Sequence, residues 1–310
     1  MASSDLIVSA PKGAIVRETF HRGEVAVQRR MGQADIAERV GRMIRPDIPA
    51  VAAGFLAEQR MVVLAAADAA GRLWASELVG LPGFVRAVDD RTITVRTRPS
   101  AADPLHEALT HPSRVGMIAL QPQRRRRMRV NGRSTPEGAG LRIVTDQVYS
   151  NCPKYISRRD IESYAPEAGS PAVRRGVELD AGQRAAIAAA DTFFVATADA
   201  EGNADASHRG GNPGFLQVLS PTRLRWPDYR GNSMFMTLGN LEVNPRCGVL
   251  IPDWSTGAML QLTGTAELIW APETFAAGSQ CSLDFTVEEV VERPGGALRW
   301  GPAELSPVNP

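Results

Sequence analysis

The residues best suited to chemistry lie between Asp205 and Pro245. Ser207-His-Arg209-Gly210-Gly211-Asn-Pro213-Gly214-Phe215 sets three glycines beside an arginine and a serine. Glycine lets a backbone approach a ligand and present its N–H groups, and Arg209 offers a rigid fork of donors. Further on, Trp226-Pro-Asp228-Tyr229-Arg230-Gly231-Asn232-Ser233 leads into a short helical pattern with Met234, Leu238 and Leu241 on one face. Asn232 or Ser233 is the expected N-cap, with Arg230 just upstream. A cation beside unpaired helix-start amides suits a phosphate. The same residues also read as a glycine-rich turn and an ordinary capped helix, and the sequence leaves both readings open.

A second candidate is Tyr149-Ser-Asn151-Cys152-Pro-Lys154-Tyr155, with a thiol, an amine and two phenols close together. One reading puts Asn151 and Lys154 at the mouth of a pocket; the other is a turn with packed tyrosines and a solvated lysine. Cys152 has no histidine near it in sequence, so no nucleophile is assigned. The run Arg124-Arg-Arg-Arg127 lies between strand signals and is expected to be a solvated hairpin. His21, His106, His111 and His208 lack metal-ligand spacing, so no metal site is expected. Ser207 and His208 are strand neighbours facing opposite ways and form no catalytic pair. No GxGxxG opens a helix, so a Rossmann site is unsupported.

Positioning these residues requires a folded scaffold, and the composition supplies one. The chain has 310 residues, 44% apolar and 22% charged, which excludes a disordered chain. Its 35 basic and 34 acidic residues leave a formal charge of +1, unlike the basic excess of a nucleic-acid binder. No run of about 18 uncharged apolar residues would cross a membrane. Met1-Ala-Ser-Ser-Asp5 lacks the features of a signal peptide, so a cytoplasmic protein is expected. Cys152, Cys247 and Cys281 form neither a disulfide framework nor a zinc pattern.

The scaffold is duplicated. Val62-Val-Leu-Ala-Ala-Ala-Asp68-Ala-Ala-Gly71 recurs 131 positions later as Phe193-Phe-Val-Ala-Thr-Ala-Asp199-Ala-Glu-Gly202. At the same shift Pro82-Gly83-Phe84 matches Pro213-Gly214-Phe215, and one residue further Val115-Gly116 matches Cys247-Gly248 and Gly132 matches Gly264. Each copy opens with an alanine-rich helical segment, about 50–60 and 181–191, the second with Asp180 and Gln183 in capping-box spacing. Short apolar runs follow at 62–67, 73–79, 84–88, 92–97, 115–120 and 127–133, and again at 193–198, 204–209, 215–219, 223–227, 247–251 and 258–269. About six short strands, with a helix before the fifth, predict a small barrel. Consecutive strands lie too close for crossover helices. The expected division is an extension over 1–49, a first barrel over 50–150, a connection over 151–180 and a second barrel over 181–310. Asp35, Glu38, Arg39 and Arg42 beside Ile36, Val40 and Met43 predict an amphipathic surface helix.

The ordered motifs resemble a family. Ser207-x-Arg-Gly-Gly-x-Pro-Gly-Phe215, Trp226-Pro-Asp-Tyr-Arg-Gly-Asn232, Leu238-Gly-Asn-Leu-x-x-Asn-Pro245 and Leu260-Gln-Leu-Thr-Gly264 resemble the FMN-binding split-barrel proteins related to pyridoxamine 5′-phosphate oxidase. Phe20-His-Arg-Gly-Glu-Val-Ala-Val-Gln28 and Asp146-Gln-Val-Tyr-Ser-Asn-Cys-Pro-Lys-Tyr155 resemble its longer, two-barrel branch. The matches span most of residues 20–270. They imply a mainly β protein with short helices, built as two tandem FMN-binding split β-barrels. FMN would lie non-covalently in the cleft between them. The resemblance assigns its phosphate to Arg230, Asn232 and Ser233, with Ser207 and Arg209 along the ring and ribityl chain. Gly210, Gly211 and Tyr229 come from the same motifs, Gln261 is the polar side chain near the cofactor, and Asn151 and Lys154 belong to the pocket mouth.

The first copy departs from the pattern. Ser76-Glu77-Leu-Val-Gly-Leu-Pro82 lacks the arginine and the double glycine. Arg98 aligns with Arg230, but the following helix is expected to start at Asp103-Pro104 with a carboxylate cap that would repel a phosphate. The expectation is therefore one working flavin pocket, carried mainly by the second copy with the first as its partner wall. The implied function is an FMN-dependent oxidoreductase exchanging hydride or electrons with a small-molecule substrate, NADH, NADPH or oxygen. No acid or base is assigned. The alternative is a non-catalytic module holding flavin or heme. The chain would be a pseudo-dimer in itself, with pairing into a homodimer open, and neither nucleic acid nor membrane is expected as a partner.

Overall fold

The computed structural model describes residues 19–166, 172–271 and 276–310. The expectation about a signal peptide at Met1–Asp5 falls outside them. Three short helices come first: α1 (Arg22–Arg30), α2 (Ala34–Gly41) and α3 (Ala50–Ala57). The first barrel follows as β1 (Met61–Ala67), β2 (Leu73–Val79), β3 (Val85–Ala87), β4 (Thr92–Val95), β5 (Ser113–Gln121), β6 (Arg126–Glu137) and β7 (Gly140–Ser150). Then come β8 (Ile161–Tyr164), β9 (Arg174–Gly176) and α4 (Ala181–Ala189). The second barrel has β10 (Thr192–Ala198), β11 (Ala204–Gly210), β12 (Gln217–Ser220), β13 (Arg223–Tyr229), α5 (Met236–Val243), β14 (Arg246–Pro252), β15 (Met259–Ile269) and β16 (Ser279–Arg293), before a final β17 (Leu298–Trp300).

The two sheets share one strand order, β2-β1-β5-β6-β7-β4-β3 and β11-β10-β14-β15-β16-β13-β12, antiparallel throughout. These are the tandem split barrels of the duplication. Each carries one strand more than the sequence reading: β7 and β16 pair on both sides in the middle of their sheets. β16 alternates Cys281, Leu283, Phe285 and Val287 inward, a period-two pattern broken after Val287 by a register shift opposite Thr263 and Gly264. Asp180 caps α4 as expected, exchanging hydrogen bonds with Gln183. Asp68 and Asp199 each close the same turn, accepting backbone N–H groups two and four residues on.

The barrels meet face to face. Along β1, Val62, Leu64 and Ala66 enter the first barrel's core, whereas Met61, Val63 and Ala65 join an interface cluster with Phe194, Ala196 and Leu250. A strand buried on both faces reads as a continuous apolar run, which is why 62–67 and 193–198 lack alternation. Gly116 and Gly248 make the approach reciprocal. A side chain on Gly116 would strike the backbone of Asp205 and Ala206, and one on Gly248 would strike Leu73 and Trp74.

Candidate functional site between the barrels

A cavity opens where the barrels meet. The second barrel supplies His208, Arg209 and Gly210 of β11, Pro227–Tyr229 of β13 and the first turn of α5; β6 of the first barrel supplies Arg127 and Arg129; residues 151–155 close one side. Arg127 and Arg129 share a face of β6 because they are two residues apart. Arg129 Nη1 lies 3.0 Å from Asp205 Oδ2, across the barrel interface, and Arg209 Nη2 lies 3.3 Å from Asp228 Oδ1. Among the described residues Arg127 has no carboxylate partner; its Nη1 donates to His208 Nδ1 at 2.7 Å. The Nε atoms of all three arginines, and Oδ1 of Asn151, are buried without a hydrogen-bond partner among the described residues.

The electrostatics follow from this geometry. Burial, reinforced by Arg129 and Arg209, pushes the Arg127 guanidinium down to about 9. Burial, then the neighbouring Arg127 and Arg209, holds His208 well below its ordinary value, so it is neutral at pH 7 and its Nδ1 can accept. Burial raises Asp228, against the pull of Arg209. One buried guanidinium and two half-buried ones facing two carboxylates leave one positive charge uncompensated, and such a charge is costly unless an anion joins it. Phe215, Pro227, Phe235, Met236 and Leu238 form the apolar part of the lining.

The expected cap of α5 is corrected. Neither Asn232 nor Ser233 is the N-cap: the position falls to Phe235, with φ 58°. Asn232 Oδ1 instead accepts from Met234 N (3.1 Å), and Ser233, at φ 63°, donates its hydroxyl to Gln33 Oε1 (2.6 Å). Two left-handed residues within three positions prevent the helix from starting earlier. The turn is held from outside by α1. His21 Nε2 and Asn240 Oδ1 are 2.9 Å apart, and Gln28 Nε2 donates to Met234 O (3.1 Å). Gly23 and Gly239 let α1 and α5 cross with backbones in contact. The Phe20–Gln28 motif thus positions the pocket loop from a distance.

The residues expected at the site divide. Arg209, Gly210, Tyr229, Asn232, Ser233 and Asn151 line the cavity. Ser207 lies behind the wall, its hydroxyl engaged by Asp205 (3.1 Å) and Thr237 (2.6 Å). Gly210 and Gly211 are glycines for the protein's sake: side chains there would strike the Tyr155 carbonyl and the Phe215 ring. Arg230 is exposed and Lys154 half-buried, both outside the lining. Only the backbone carbonyl of Arg230 engages the site's walls, accepting from Tyr155 Oη (3.0 Å).

Gln261 belongs to the other site. The barrels face each other, so each site takes β2 or β11 from one copy and β15 or β6 from the other. Arg129, the counterpart of Gln261, therefore lines the cavity and Gln261 does not. Gln261 Nε2 donates to Ala75 O (2.9 Å), Ser76 Oγ (3.1 Å) and Asp103 Oδ2 (3.2 Å). Asp103 starts no α-helix, contrary to expectation: it sits in a turn, buried, accepting from Ser76 Oγ (2.6 Å) and Leu105 N (2.9 Å), with Arg293 at 3.3 Å. The duplicate site is filled by the chain's own carboxylate.

Sequence reasoning missed Arg127 and Arg129 because the basic run reads as a surface hairpin. Arg124 and Arg126 are indeed exposed, but Arg127 turns inward. The signal was the duplication itself: the matching positions hold Met259 and Gln261, so the arginines are not required by the barrel.

The family model described as pyridoxamine 5′-phosphate oxidase matches residues 179–293. Among solved structures, a putative pyridoxamine 5′-phosphate oxidase from Lactobacillus delbrueckii is 17% identical, covering 37% of this chain and 94% of its own, with a TM-score of 0.32. HupZ of Group A Streptococcus is 16% identical over 36% of this chain and 90% of its own (TM-score 0.29). A FAD-binding protein from Mesorhizobium loti is 15% identical over 40% of this chain and 99% of its own (TM-score 0.28). No curated protein matches by sequence. The stretch that matches this family model, residues 179–293, is the part of the chain that holds the second barrel.

Proposed function

We propose that the chain is an FMN-dependent oxidoreductase, exchanging hydride or electrons with a small-molecule substrate, a nicotinamide cofactor or oxygen. The observation that carries this reading is Arg127, a half-buried cation with no carboxylate partner among the described residues and a buried, unpaired Nε, set among two further guanidiniums with unpaired Nε atoms. A phosphate dianion fits that donor set through charge-assisted hydrogen bonds. The first turn of α5 lines the same cavity, and helix-start amides have no intrahelical acceptor. The phosphate is therefore assigned to Arg127, Arg129, Arg209 and this turn, in place of Arg230. Phe215, Pro227 and Phe235 offer apolar surface to a flat ring.

Bound FMN would supply the hydride and single-electron chemistry. The chain's residues bind and orient it: neutral His208 holds Arg127, Asp205 holds Arg129, and α1 holds the 232–236 loop. The cavity measures about 80 Å³. The duplicate site, filled by Asp103, takes no phosphate, so one flavin binds per chain.

The test is chromophore release and titration. Denatured protein should release FMN near one equivalent, and NADH or NADPH should bleach the bound flavin, with air restoring it. If no riboflavin-type compound appears, and added FMN neither binds nor raises the melting temperature, the reading fails. A colour indifferent to reductant would leave a binding module.

A further inference from the structure

A groove of about 850 Å³ runs beside α3 and the β5–β6 turn, and Arg127 and Asn151 line both it and the site cavity. Its walls include apolar Met43, Val51, Phe55 and Met128, with Met43 and Val51 exposed. Its basic groups are Arg42, Arg45, Arg124, Arg125 and Arg126.

The duplication supplies an internal control. The equivalent groove of the second barrel, about 800 Å³, lies beside α4 and the β14–β15 turn. The two turns have the same frame: Leu120 pairs with Arg127 where Pro252 pairs with Met259, and Arg125 (φ 48°) matches Gly257 (φ 72°) in the left-handed region. The second turn reads Ser255-Thr-Gly-Ala258, without a cation. The fold therefore closes this hairpin without arginine, and Arg125 even occupies a conformation that favours glycine.

Local partners account for only part of the charge. Arg125 ties the hairpin to Ile156 O (3.1 Å) and Glu304 Oε1 (2.8 Å). Arg42, Arg45 and Arg124 face exposed or half-exposed carboxylates at 3.4–3.8 Å, pairs that contribute little. Arg126 has no carboxylate partner among the described residues, and its Cζ lies 4.8 Å from the centre of the Phe55 ring. The result is an excess of guanidinium along an apolar channel leading to Arg127.

We propose that this groove binds a nucleotide carrying two or more phosphates, the second substrate that exchanges electrons with the flavin; the proposal rests on the flavin reading above. The arginine rim matches the phosphates, the exposed Arg126 guanidinium, seated over the buried Phe55 ring, gives a planar base a stacking surface, and the shared Arg127 and Asn151 bring one end to the flavin cavity.

The test titrates NADP⁺ into FMN-loaded protein by calorimetry, with the double variant Arg45→Ser/Arg126→Ser beside it. Both side chains are exposed and outside the flavin cavity, so an unchanged melting temperature confirms folding. The expected result is saturable NADP⁺ binding, weakened at least tenfold in the variant and weakened by added salt, with FMN affinity unchanged within twofold. No NADP⁺ binding, or equal binding by the variant, overturns the proposal. A parallel loss of FMN affinity also overturns it, because the groove would then hold part of the flavin. If FMN itself never binds, the flavin reading fails separately, and the same titration on flavin-free protein still decides whether the groove takes a nucleotide.

Discussion

Arg127 in the first barrel donates from Nη1 to Nδ1 of His208 in the second, at 2.7 Å, and no carboxylate among the described residues balances its charge. An anion in the cavity would supply that balance. Arg127→Met should therefore weaken FMN binding about tenfold to a hundredfold, the loss of one charge-assisted contact worth about 1.5–3 kcal/mol. Arg230→Met, at an exposed position outside the lining, should stay within twofold of the parent. Quenching of flavin fluorescence measures both, and the reverse order would return the phosphate to Arg230.

Arg129 and Asp205 form a buried ion pair between the barrels, 3.0 Å apart. Removing one partner leaves a buried charge alone. Arg129→Met or Asp205→Leu should each destabilise the chain by about 3–5 kcal/mol, whereas the paired replacement should cost markedly less than the two together. Denaturant unfolding of the four proteins gives the coupling directly.

Glu77 stands in the first copy where His208 stands in the second, and burial pushes its carboxyl up to about 7, against the pull of Arg293. Below the ordinary carboxyl value of 4.5 both folded and unfolded chains carry the proton. Between 4.5 and 7 the folded state keeps it while the unfolded state releases it, so stability falls as pH rises through this window and levels off above it. Glu77→Gln should flatten that fall and be more stable than the parent at pH 8 by about 1–3 kcal/mol. Melting temperatures from pH 4 to 8 test it; parallel curves would contradict the raised value.

Gly239 lies where α5 crosses α1, and a methyl group there would collide with the backbone and side chain of Glu24. Gly239→Ala should cost about 1–3 kcal/mol and should also raise the FMN dissociation constant, because α1 holds Met234 and Asn240 through Gln28 and His21. Gly54→Ala, at a helical position with open space, is the control: it should raise stability by about 0.5–1 kcal/mol and leave FMN binding unchanged. A stability loss without a change in FMN binding would separate α1 from the pocket.

Repetition, turn chemistry and hydrophobic runs were legible in the chain alone. Asp68-Ala-Ala-Gly71 and Asp199-Ala-Glu-Gly202 must close alike, and an unbroken apolar run must be covered on both sides, so local rules were enough to specify two similar barrels with a buried joint. The strands β7 and β16 were harder to see, since polar outward residues and a bulge dilute their alternation. Which residues make the site was a tertiary matter. Two facing barrels exchange walls, so the second copy's β11 meets Arg127 and Arg129 of the first, while Gln261 is sent to a site already closed by Asp103. A strand's alternation says which side chains share a face, but only the docking of one barrel on the other says what that face meets.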